Sequence, residues 1–162
     1  MLEKNIIQPI NDEQVQSHGI TAAILRLDLL HPIVSGNKIF KLNHYLAAAK
    51  NNAKKGVVTF GGAFSNHLVA TAFAAQLNKL ESIGYVRGEM PNKLSHGLMD
   101  CISYGMQLKF MSRESFDAID LTQFSTSHPN HTIIPHGGYG RMGMLGSKEI
   151  MEIPGVEKYD TV

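Results

Sequence analysis

Across the middle of the chain, short apolar runs alternate with segments of helical period, and no other feature restricts the possible folds so tightly. Val57 to Phe60 is a run of strand length, closed by Gly61-Gly62. Ser65 or Asn66 then stands where a helix N-cap belongs, ahead of an alanine-rich stretch through Thr71, Ala72, Ala75 and Leu77. Ser82 to Val86 reads as a second strand. Pro91 and Asn92 open a further helix carried by Leu94, Leu98, Cys101 and Ile102, which Gly105 stops. Leu108 to Met111 is a third strand and Ile133-Ile134 a fourth. Upstream, an extended arm or strand over 20–30 closes at His31-Pro32. Phe40, Tyr45, Leu46 and Ala49 then place a helix that runs to about Asn52 before Gly56 breaks it. Strands separated by helices run parallel and are joined by right-handed crossovers, with helices covering the sheet. The expected architecture is therefore α/β, a three-layer αβα sandwich on a mainly parallel sheet, compact over about residues 42–144. Residues 122–131 are polar and irregular and read as a surface loop.

Composition removes several function classes. With 43% hydrophobic and 18% charged residues, the 162-residue chain has the make-up of an ordered globular domain. A formal net charge of +1 provides no basic face for nucleic acid. The densest cationic cluster, Lys50, Lys54 and Lys55, reads as a solvated helix end, and no apolar run approaches the ~18 residues of a membrane span. The single cysteine, Cys101, cannot form an internal disulfide, which suits a reducing compartment and a cytoplasmic location. Eight histidines without metal-ligand spacing make no case for a metal site.

Two stretches carry groups able to do chemistry. Lys38 and Lys41 lie three residues apart at a helix start, on one face of its first turn. A lysine that attacks a carbonyl must be neutral, against a reference pKa of ~10.4; partial burial and a neighbouring cation such as Lys41 both lower that value. Lys41 is equally suited to pair with a phosphate. Taken alone, such a pair is more commonly two surface lysines of an amphipathic helix. Gly61 to His67 lies between a strand end and a helix start, where glycines admit close approach and free N–H groups face an anion. There Ser65, Asn66 and His67 add a hydroxyl, an amide and an imidazole; a glycine turn with a simple N-cap and a surface histidine explains the same residues. The turn from Pro135 to Gly140 matches no phosphate-loop fingerprint and reads as a structural turn before a short helix.

Together these stretches resemble a known family. His31-Pro32-Ile33-Val34-Ser35-Gly36-Asn37-Lys38-Ile39-Phe40-Lys41-Leu42 looks like the lysine motif of the 1-aminocyclopropane-1-carboxylate deaminase and D-cysteine desulfhydrase family, and Thr59 to His67 like its substrate loop. Arg87-Gly88-Glu89, the turn from Pro135 to Gly138, and Lys148-Glu149-Ile150 follow in the family's order. His136 stands where many relatives have glutamate. The resemblance implies a tryptophan-synthase-β-like fold and pyridoxal 5'-phosphate (PLP) as cofactor. It places residues 1–41 as an arm of a large domain, 42–144 as the small domain, and 145–162 as the start of the large domain. Lys38 would carry PLP on its amine, Lys41 would lie near the phosphate, and Asn66 would bond the phenolic oxygen of the ring. Ser65, Asn66 and His67 would bind a small amino-acid substrate, with Ser65 also a participant in catalysis.

The implied activity is that of a PLP-dependent lyase or deaminase releasing ammonia and a 2-oxo acid. With D-cysteine, Lys38 would take the α-proton as sulfide leaves; the cyclopropane substrate has no α-proton and needs another opening step. The family is longer than this chain, and Lys158 to Val162 reads as a strand entry cut at its start, so a fragment of a two-domain enzyme is expected. A non-catalytic small domain unable to hold PLP by itself is the alternative, and a nucleotide-binding module built on the glycine turns a distant third. The opening residues 1–35 are expected to pack poorly or to pair with another copy, and homo-oligomers are expected.

Overall fold

A computed structural model describes residues 6–161 of the chain. Four parallel strands form the central sheet: β3 (Gly56–Gly62), β4 (Glu81–Arg87), β5 (Met106–Met111) and β6 (His131–Ile133), in the order β5-β4-β3-β6. A separate antiparallel pair, β1 (Ile7–Ile10) with β2 (Ala22–Leu25), flanks the short helix α1 (Glu13–Ser17). The remaining helices are α2 (Lys38–Asn51), α3 (Asn66–Leu77), α4 (His96–Ser103), α5 (Arg113–Asp117), α6 (Leu121–Ser127) and α7 (Arg141–Lys148).

Alternation along β3 sorts the layers, because successive strand side chains point to opposite faces. Val57 packs in one cluster with Leu42 and Leu46 of α2 and Ala70 and Ala74 of α3. Val86 of β4 and Met106 of β5 lie on that same face with Leu68, Ala72, Leu98 and Cys101 of α3 and α4. The alanines of α3 that read as helix formers thus also serve packing: Ala70, Ala72 and Ala75 are fully buried and let the helix lie close on the sheet. Phe60 points the other way. It stacks on Tyr85 and meets Phe116 of α5 and Phe124 of α6 edge-on. Fully burying an aromatic ring of this size is worth roughly 1.5–3 kcal/mol, and the ring pairs add to it.

Most of the anticipated elements are present, with four corrections. Residues 122–131 are not a loop. Asp120 accepts from the N–H groups of Thr122 and Gln123 and so caps α6, whose Phe124 helps cover the second face of the sheet. The helix assigned to Pro91 and Asn92 starts later, where the Ser95 hydroxyl accepts from Leu98 N–H. The opening segment is not loose along its whole length: it is anchored near both ends, while residues 8–24 include none that is buried. Ile6 is buried with Ile153 and Val156, and Ile7, Leu25, Leu27 and Phe40 close around them, while Val34 enters the main core. Met1 to Asn5 lie outside the described residues. Nor do the last described residues enter a strand: Val156–Lys158 is a single 3-10 turn.

Helix α7 presses through two glycines on α2 and on the turn at Gly138. A Cβ at Gly146 would sit 2.0 Å from the Phe40 carbonyl oxygen, and one at Gly143 would sit 1.8 Å from that of Gly138. Gly146→Ala should therefore cost about 1–3 kcal/mol of stability by forcing the helices apart. Gly62→Ala, where a Cβ would meet nothing within 4 Å, should cost far less. Urea unfolding of both variants beside the parent chain measures the difference.

Candidate active site

The strand order reverses at β3. The chain runs outward through β4 and β5, then returns to place β6 on the other side of β3. In open parallel sheets the crevice outside the carboxyl ends of the strands at such a reversal is where ligands bind. Here the loop after β3 leads into α3 while the loop after β6 leads to Gly138, and the candidate residues gather between them.

Lys38 is the first residue of α2, and its Nζ donates to Asn37 Oδ1 at 2.9 Å. Partial burial holds its pKa below the usual lysine value, and the Lys41 charge lowers it further. A cavity of about 500 Å³ brings Lys38 together with Asn66, the first residue of α3; Asn37, Asp100 and Tyr104 also line it. Lys41, one turn on, reaches a different set of neighbours. Its Nζ stands over the Tyr139 ring, 4.7 Å from the centroid. Its stem lies against Gly138, where a Cβ would approach Lys41 Cβ to 3.4 Å and His67 Cε1 to 3.6 Å.

Of the two candidate caps, Ser65 is the one used: its Oγ accepts from Leu68 N–H at 3.4 Å, leaving its own proton free to donate. Asn66 is exposed. The Ser95 hydroxyl donates to the Ala63 carbonyl and so ties the α4 start to this loop. His67 is not at the surface but 3% exposed, with Nε2 2.8 Å from Thr59 Oγ1. Thr59 Oγ1 also stands 3.0 Å from the Ile134 carbonyl, which can only accept. The one hydroxyl proton therefore goes to Ile134, and both contacts are met when His67 donates from Nε2. Nδ1 is then an unprotonated, buried nitrogen without a protein partner. Burial, with the charges of Lys38, His136 and Lys41 behind it, lowers the His67 pKa to about 3, so the ring is neutral.

Of the remaining motif residues, Arg87 stands apart from this centre, and His136 borders it through its charge on His67. Arg87 is engaged with Asp117 through two hydrogen bonds, at 3.0 and 2.7 Å. His136 packs edge-on to Phe116, in the 3-10 turn His136–Gly138 that precedes α7. Sequence reading gave no role to two participants: Thr59, quoted only as the first residue of the loop motif, and Tyr139, which looked like part of a turn. A polar residue inside an otherwise apolar strand was the available signal for Thr59. Cys101 is buried and its thiol pushed up to about 12, chiefly by burial, which leaves it unreactive. No group of metal-ligating side chains occurs among the described residues, and no helix there is long and apolar enough to cross a membrane.

No family model matches the chain. Individual relatives do. A Thermotoga maritima protein assigned as a 1-aminocyclopropane-1-carboxylate deaminase is 30% identical over 140 residues, covering 81% of this chain and 44% of that protein. An Oryza sativa protein assigned as a D-cysteine desulfhydrase is 38% identical over 69 residues, 43% of this chain and 17% of that protein. The crystal structure of an ACC deaminase homologue superposes with a TM-score of 0.69 at 27% identity, covering 95% of this chain and 49% of that one. The fold is accordingly that of the tryptophan-synthase-β-like class of PLP-dependent enzymes. Within that class, the chain is a relative of the 1-aminocyclopropane-1-carboxylate deaminases and D-cysteine desulfhydrases. It spans less than half the length of the curated relatives it matches.

The neutral state of His67 has a pH signature. A histidine whose pKa is lowered by folding contributes stability above its unfolded value, near 6.5, and loses it as pH falls toward the folded value of about 3. Stability should drop between these limits by at most about 1.4 kcal/mol per pH unit from this group. His131 is shifted the same way by burial, so the parent chain alone does not isolate His67. His67→Gln retains an N–H for Thr59 and cannot titrate, so its acid slope should be shallower. Equal slopes in urea titrations at several pH values would show that His67 is not the group responsible.

Proposed function

We propose that this chain carries the lysine-bearing part of a PLP-dependent lyase or deaminase acting on a small amino acid, with Lys38 as the cofactor lysine. The observation that carries the reading is the shared cavity of Lys38 and Asn66 at the carboxyl side of the sheet. Its residues suit PLP: an amine biased toward its neutral, nucleophilic form by burial, and an exposed amide beside it. When bound, PLP supplies an electron sink for negative charge developing on the substrate.

The chain's own residues then have separable tasks. Lys38 would hold the cofactor through its Nζ, and as a free amine it would serve as the base for an α-proton. Asn66 would hold the cofactor's ring oxygen through its amide N–H, and Lys41 would supply positive charge for the phosphate. Ser65 has a hydroxyl proton to give because its oxygen's partner is Leu68 N–H, so it suits the substrate carboxylate or the opening of a strained ring. The neutral state of His67 argues against a direct ion pair with that carboxylate and favours a role in fixing the loop that presents Ser65 and Asn66. Names of the relatives support 1-aminocyclopropane-1-carboxylate or D-cysteine as substrate, and a cytoplasmic location accords with the lone cysteine.

Incubation with PLP should give the visible absorbance of cofactor joined to a lysine, and borohydride reduction should fix the label on Lys38. Lys38→Ala should abolish the band and Asn66→Ala weaken cofactor retention on dialysis. Equal spectra for the parent chain and Lys38→Ala would mean that the chain by itself holds no PLP at this site, the behaviour of a non-catalytic small domain.

A further inference from the structure

Helix α2 carries three functional side chains on one face: Lys38, Lys41 at the third position after it and Tyr45 at the seventh. Tyr45 is buried, and its hydroxyl donates to the Tyr139 carbonyl at 2.7 Å. The contact needs a glycine next door, since a Cβ at Gly140 would come within 3.2 Å of that hydroxyl. Gly137 adopts φ 67° and folds back against the Tyr139 ring, where its Cβ would touch Cδ2 at 3.4 Å and Cε2 at 3.5 Å. Tyr139 is thus held at its backbone by one α2 residue and offers its ring to another. Tyr139 is 70% exposed, so the core does not need its ring; the group the ring does meet is the Lys41 ammonium. A cation held over an aromatic face in this way is attracted by the negative charge of the ring face.

We propose that Tyr139 is a positioning residue: its ring keeps the Lys41 ammonium inside the site, where that charge acts on Lys38, and Tyr45 holds Tyr139 in place. A free lysine side chain has many rotamers and would carry its charge out into water, where it is screened. Held over Tyr139, the charge stays close enough to act on Lys38 and on His67 alike. The inference rests on the proposed role of Lys38 for its purpose, because a neutral Lys38 amine is what attachment of a cofactor requires. Its test does not depend on the cofactor.

Trace acetylation of the chain with acetic anhydride across a pH series, read at the Lys38 peptide by mass spectrometry, reports the titration of Lys38 itself. Lys41→Gln should raise the midpoint of Lys38 toward the ordinary lysine value. Tyr139→Leu should raise it part of the way and slow Lys38 labelling at neutral pH, while Tyr139→Phe, which keeps the ring, should leave the parent profile. A parental midpoint in Tyr139→Leu, or in Lys41→Gln, would overturn the inference. So would an equal rise in Tyr139→Phe and Tyr139→Leu, because the ring would then not be the operative group. Failure of the parent chain to take up PLP with these shifts intact would instead count against the proposed function alone.

Discussion

One buried hydrogen-bonded chain, from His67 Nε2 through the Thr59 hydroxyl to the Ile134 carbonyl, ties together the three parts of the fold that meet at the site. Thr59 belongs to the central strand, His67 to the first turn of α3, and Ile134 directly follows the edge strand. Each group is buried, so an unmet partner would cost the desolvation of a polar atom, about 1–3 kcal/mol. That asymmetry fixes more than stability. The helix carrying Ser65 and Asn66 cannot rotate on the sheet without breaking the link, and β6 cannot slip along β3 without carrying the carbonyl away. The neutral ring is what makes the arrangement affordable, since an imidazolium there would face two lysines without a counter-ion.

Close approach is the second constraint, and glycine placement supplies it. Gly61 lies where a Cβ would meet Ser65 Oγ and Leu68, and Gly143 and Gly146 lie where α7 presses on Gly138 and Phe40. The two loops that define the crevice are therefore packed against helices rather than hanging free. Lys41 and Gly138 touch because α7 is allowed to come so near, and that contact brings Tyr139 within reach of the lysine.

The parallel sheet was readable in advance because its signals were local: a short apolar run, a glycine turn, a cap and an alanine-rich helix, each within a dozen residues. Ser65 and Asn66 could be placed at the α3 start for the same reason. Both covering layers were expected, but helix α6 of the second escaped because it has no apolar stripe; Leu121 and Phe124 stand among threonine, serine and glutamine, and only the Asp120 cap marks its start. The burial of His67 and the part played by Tyr139 escaped for a different reason. Whether a histidine after a glycine turn is buried depends on a partner eight residues earlier in a strand, and whether a turn tyrosine meets a lysine depends on residues roughly a hundred positions away. Neither distance leaves a periodic trace.

Placing Lys38, Lys41 and Tyr45 on one helix sets what can vary between states of this molecule. At 1.5 Å of rise per residue, the seven steps from Lys38 to Tyr45 fix a separation of about 10 Å along the axis, and backbone hydrogen bonds keep it. The helix behaves as a ruler engraved with an amine, an ammonium and a phenol. Any hinge between the loops and α2 changes how far that ruler stands from Asn66 and Gly138, yet leaves the order and spacing of its marks untouched.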